Sequence, residues 1–150
     1  MITDRALEIA DDLALGTTGT GRQLVGNQID LGVARDIGNL GGGMPLYLII
    51  QVTTAITGTS STVSFELSSD ETAVIAIDGS ASVHAATAAI AEASLVAGYT
   101  AVIPLPPEGV AYERFIGLVA NVGTANLSAG KINAFITPDI QKWKAYADAL

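Results

Sequence analysis

Hydrophobic and polar residues alternate with a period of two along most of the chain, the spacing of strands that bury one face. In LEIADDLAL (7–15), Leu7, Ile9, Leu13 and Leu15 share one parity while Glu8 and Asp12 take the other. Residues 28–33 repeat the pattern, with Ile29, Leu31 and Val33 against Gln28, Asp30 and Gly32. MPLYLIIQVTTAI (44–56) sets Leu46, Leu48, Ile50, Val52 and Ile56 against Tyr47, Gln51 and Thr53. TVSFELSS (62–69) alternates cleanly after the turn-forming GTSS at 58–61, and the two segments read as a hairpin. YTAVIPLPP places Tyr99, Ala101, Ile103 and Leu105 on one face, with Pro104 and Pro106 marking an edge or an end. YERFIGLVANV is apolar on both faces from Phe115 onward, as a central strand is, and GKINAFITPDI puts Ile132, Ala134 and Ile136 together.

Two stretches depart from strict alternation. SASVHAATAAIAEAS (80–94) mixes alanine, which suits a helix, with Ser, Thr and Val, which suit extended chain; loop and short strand fit it better. In DIQKWKAYADAL (139–150), Trp143, Tyr146, Ala147 and Leu150 stand at i, i+3, i+4 and i+7, one helical face. A helix this short is marginal alone in water, so the tail either folds back on its own domain or docks on a neighbour. About eight or nine short strands with Gly-, Ser-, Asn- and Asp-rich turns, and no helical pattern long enough for βαβ units, predict an all-β fold. The expected architecture is an antiparallel β-sandwich or jelly roll over residues 1–138, followed by a tail or docking arm at 139–150.

Composition narrows the function. The chain has 150 residues, enough for one domain with a real core, and is 49% hydrophobic but only 15% charged, with few aromatics. Small and β-branched side chains must therefore fill that core. The absence of cysteine excludes disulfides, thiolate metal sites and cysteine nucleophiles together. A net charge of −8 repels phosphate backbones and argues against nucleic acid as a partner. No apolar run reaches membrane-spanning length, and MITDRALEIADD has neither a secretory nor a mitochondrial targeting pattern, so the expectation is a protein that matures where it is made.

Candidate chemistry is sparse. GTTGTGRQ (16–23) spaces Gly16 and Gly21 as a phosphate-binding loop does, but Arg22 and Gln23 occupy the lysine and serine/threonine positions, and the flanking segments read as strands. A connection between strands is the better reading. His84 is the sole histidine and lacks a nucleophile motif beside it, which makes it a loop or edge residue rather than a catalytic base. Asp70 and Glu71 lie in SSDET, a turn composition; neighbours on a strand would face opposite ways, though glycosidase carboxylates can come from distant strands. Arg35 and Asp36 read as a surface pair beside a glycine-rich loop or as an interface pair.

IDLGVARDIG, PLYLIIQV, LVAGYTAVIPLPP, ERFIGLVANVG and AGKINAFITPDIQ, in that order from Ile29 to Gln141, resemble the capsid cement proteins of Bordetella-type tailed phages. The specificity lies in the ordered set. The resemblance implies a jelly-roll-like sandwich, without catalysis or cofactor, that binds the outer surface of an HK97-type capsid after assembly in the host cytoplasm. It also implies bridging of neighbouring major capsid protein subunits by a homo-oligomer, a dimer by preference and a trimer as the alternative. GNLGGGMP is longer and richer in glycine than the usual turn there. On this reading the candidate interface residues are Arg35, Asp36 and Met44 in the loop, and Trp143, Lys144, Tyr146 and Leu150 in the tail. Two other classes compete: a jelly-roll module on the phage head that binds glycans or a receptor through Trp143 and the tyrosines, and a carbohydrate-active enzyme with dispersed acids.

Overall fold

The unbroken apolar run LYLII becomes the interior of strand β3 (Tyr47–Gly58), where Leu48, Ile50 and Val52 face the core and Ile49 is buried on the opposite face. This is a computed structural model, and it describes residues 5–17, 19–32, 45–106 and 111–140. The other strands are β1 (Glu8–Ala14), β2 (Gly21–Asp30), β4 (Thr62–Asp70), β5 (Ser82–Ala86), β6 (Ile90–Ala91), β7 (Thr100–Pro104), β8 (Phe115–Gly123) and β9 (Leu127–Thr137). They form two antiparallel sheets, β1-β9-β3-β7 and β2-β8-β4-β5, with the two-residue β6 also paired to β4. Every pairing is antiparallel, and four of them nest: β4 with β5, β3 with β7, β2 with β8, β1 with β9. A ribbon paired with itself in this way and wrapped into two sheets is a jelly roll.

The expected β-sandwich is therefore what forms, and its core follows the parity read from the sequence. Val63, Phe65 and Leu67 of β4, Leu118, Ala120 and Val122 of β8, and Ile132, Ala134 and Ile136 of β9 are all buried in one cluster with the inward residues of β3. β8 lies centrally between β2 and β4, and β7, with Pro104 at its end, is an edge strand, both as expected. The stretch 80–94 gives β5, β6 and a 3₁₀ turn at Glu92–Ser94. The second strand runs from Gly21 to Asp30 instead of occupying 28–33.

One expectation fails. β3 and β4 are not a hairpin; they belong to different sheets. Residues 59–61 carry the chain across the sandwich, because the corner has its own hydrogen-bond partners. The Glu92 carboxylate accepts the backbone N–H groups of Ser60 and Ser61, and the buried Ser61 hydroxyl donates to the Asn126 carbonyl at 2.9 Å. Leu13 departs from its expected face for a related reason. Asp12 takes a left-handed φ of 42° at a register shift between Ala10 and Leu13, which turns Leu13 outward. That conformation is held by Lys131 Nζ at 2.6 Å and the Thr53 hydroxyl at 2.6 Å on the Asp12 carboxylate, and by Asn133 accepting the Asp12 N–H. Nearby, Gly26 interrupts the β2–β8 ladder with a φ of 66°, and a Cβ there would stand 2.0 Å from the Ile9 carbonyl oxygen, so only glycine lets β1 and β2 approach.

Strand directions sort the strand ends. The ends of β1, β3 and β8 and the starts of β2, β4 and β9 lie together, at the upper end; the ends of β2, β4 and β7 and the starts of β3, β5 and β8 lie at the other, the lower.

Candidate functional site

The lower end gathers what side-chain chemistry the described residues offer. His84 sits on β5 where the β4 partners shift from Leu67↔Ala85 to Ser68↔Val83, so it is the extra residue of a β-bulge. The bulge aims the imidazole at Tyr112, on which it stacks with ring centroids 4.0 Å apart, and at Ser69, whose Oγ lies 2.7 Å from Nε2. Ser69 Oγ also accepts the Glu113 N–H at 3.1 Å, the Glu113 carboxylate accepts the Ser82 hydroxyl, and the Tyr112 hydroxyl donates to the Pro106 carbonyl. In the tautomer with Nδ1 protonated, Ser69 donates to Nε2; in the other, Nε2 donates to Ser69 Oγ. Burial holds the His84 pKa below its ordinary value, and the Glu113 charge opposes that shift without overcoming it.

A serine bonded to a histidine is the nucleophile–base pair of a catalytic triad. Here Ser69 is wholly buried, so a substrate carbonyl has no approach to its hydroxyl. The cluster instead ties the edge strand β5 to the segment that enters β8. Sequence reasoning gave His84 a loop or an edge, and an edge is where it lies, but missed Ser69, Tyr112 and Glu113; the one prior signal was Ser69, a polar residue at the inward parity of β4.

The remaining candidates resolve simply. GTTGTG falls between β1 and β2, two strands, and not between a strand and a helix, as a phosphate-binding loop does. Arg22 reaches across the outer face of the second sheet to Glu66, with Nη2 2.9 Å from Oε2; this is a charge contact, since no aligned hydrogen bond reaches that oxygen among the described residues. Asp70 is the last residue of β4, and the expected turn begins at Glu71: the Asp70 carboxylate holds it by accepting the N–H groups of Thr72 and Ala76 and the Thr72 hydroxyl. Those backbone donors, Ala76 first, hold its pKa below the usual carboxylate range. Asp30 is clasped by both Nε and Nη2 of Arg114, which lowers its pKa to about 2. Among the described residues, no group of three or more His, Asp or Glu side chains could hold a metal ion.

Arg35, Asp36, Met44, Trp143, Lys144, Tyr146 and Leu150 lie outside the described residues. The described residues that border their segments do come together. Tyr47 at the start of β3 pairs with both Pro104 and Thr137, and the end of β2 pairs with the start of β8, all at the lower end.

A protein-family model, Bbp16, matches residues 13–136, from the turned-out Leu13 of β1 to the penultimate residue of β9. The chain belongs to the Bbp16 family. The Bbp16 match covers the sandwich from the end of β1 to β9 and stops before the aromatic tail. The family name is of the Bordetella-phage type, which agrees with the phage origin implied by the sequence resemblance. No curated protein matches the chain.

Proposed function

We propose that this Bbp16-family protein is a structural component of a phage virion that binds the outer surface of the capsid and bridges neighbouring capsid subunits. The observation that carries the reading is the family match over residues 13–136, joined to the ordered resemblance to capsid cement segments. The physics of the sandwich suits the role. A cement must resist the pressure of packaged DNA without a cofactor, and a rigid domain does so by covering a patch of roughly 800 Å² per partner, repeated across a lattice. The serine–histidine pair is closed to substrate, and a surface of net charge −8 does not seek nucleic acid; both fit a protein partner. On this reading the protein is a homo-oligomer without catalytic activity, and its partner is the major capsid protein.

The test uses phage particles stripped of the protein. Purified protein added back should rebind and raise the temperature at which the shells rupture. Rebinding with an unchanged rupture temperature refutes the stabilising role, and no rebinding refutes the capsid assignment.

A further inference from the structure

We propose that the outward face of the second sheet, at the segment linking β4 to β5, is a docking surface for a protein that presents an apolar depression rimmed by lysine or arginine. On the function proposed above, on which this step rests for the partner's identity, that protein is the shell subunit.

Residues 71–81 do not arch into solvent; they lie as a strap across the outer face of the sheet. Ile75 is the anchor, buried with Ala81 against Val119, the outward residue of β8, and flanked by Leu24 and Ala76. The close fit depends on Gly117, where a Cβ would stand 2.9 Å from Ile75 Cδ1. Asp70 holds one end of the strap through Thr72 and Ala76, and Asp78 holds the other through the N–H and hydroxyl of Ser80. The Arg22–Glu66 contact lies on the same face.

This rigid strap turns Val74 and Ile77, which bracket the anchor, into water at 70% and 48% exposure. Val83 is also exposed, and its pairing with the outward Ser68 places it on the same face. Exposed apolar side chains scattered singly mean little. Three on one face, two of them on a loop already fixed in place, form a contact whose ordering cost is met during folding rather than on binding.

Charge selects among the occupants. Glu71 and Asp78 flank the apolar residues, and together with Glu66 they outnumber Arg22, which contacts Glu66 and whose charge also reaches Asp78. A second copy meeting the same strap across a two-fold axis would set these acids against their equivalents, which costs energy, whereas a partner with a basic rim gains from them. The complementarity therefore favours a different protein over self-association at this face.

The experiment measures co-sedimentation of purified protein with stripped phage shells for the wild type, the double variant Val74→Asp/Ile77→Asp, the charge reversal Glu71→Lys, and Val96→Asp at the upper end as control. The altered side chains are exposed, so the folds should survive, as thermal melting checks; Val74→Ser/Ile77→Ser replaces the double aspartate if it does not. The double variant should bind at least about tenfold more weakly, the charge reversal should also weaken binding, and Val96→Asp should bind as the wild type does. Wild-type affinity in the double variant, or an equal loss in Val96→Asp, overturns the docking face while leaving shell binding intact. A wild type that does not bind shells removes the functional reading itself.

Discussion

At the scale of single residues, His84 gives the clearest test because it is the sole histidine and its environment disfavours the charged ring. The unfolded chain takes up a proton near pH 6.5, and the folded chain resists until a lower pH. Stability is therefore unaffected by this group above about pH 6.5, falls as pH drops through that value, and stops falling once the folded ring also protonates. The loss stays below the linkage ceiling of about 1.4 kcal/mol per pH unit, because the ring is only partly buried and water screens part of the effect. Carboxylates with depressed pKa values, Asp70 among them, act only further down, where acid begins to protonate them in the unfolded chain near pH 4. Urea midpoints of the wild type should thus fall between pH 7.5 and 5.5. Those of His84→Gln, whose amide oxygen can accept the Ser69 hydroxyl, should not. A wild-type midpoint equal at both pH values would refute the network drawn around Nε2.

At the scale of elements, the parity of β3, β4, β7 and β9 was readable because a strand that faces the core on one side tends to alternate, and each of these buries the expected set; β8 was readable instead as an unbroken apolar run. Parity says nothing of which strand lies beside which, and the assumed β3–β4 hairpin shows the consequence: a short turn between two strands suits a ladder and a sandwich corner equally well. What decides for the corner is Glu92, 31 residues beyond Ser61, and no local pattern signals a partner so distant. The bulges at Asp12 and His84 were hidden for the same reason, their partners Lys131 and Ser69 being contributed by other strands. The corner can be tested directly. Glu92→Ala leaves the N–H groups of Ser60 and Ser61 without their acceptor, and since Ser61 is buried the cost should be about 1–3 kcal/mol in a thermal melt. Glu92→Gln keeps an acceptor oxygen and should recover much of that loss; an alanine variant as stable as the wild type would mean the corner is set elsewhere.

At the scale of the molecule, the nested pairing dictates an order of assembly. Closing β4 on β5 spans a short loop, whereas closing β1 on β9 joins nearly the two ends of the chain, and a long loop is favourable to close only after shorter ones have shrunk it. The jelly roll should therefore form from the inside outward, at the millisecond-to-second pace of all-β domains. Leu67, wholly buried on β4, belongs to the innermost pair, and Ile9, wholly buried on β1, to the outermost. Leu67→Ala should cost about 2–5 kcal/mol and express much of it as slower folding, while Ile9→Val should cost about 0.5–1.5 kcal/mol and express it almost entirely as faster unfolding. Folding and unfolding rates measured against urea separate the two. If Ile9→Val slows folding in proportion to its full loss of stability, the outer pair is already formed at the barrier, and the inside-out order derived from loop entropy is wrong.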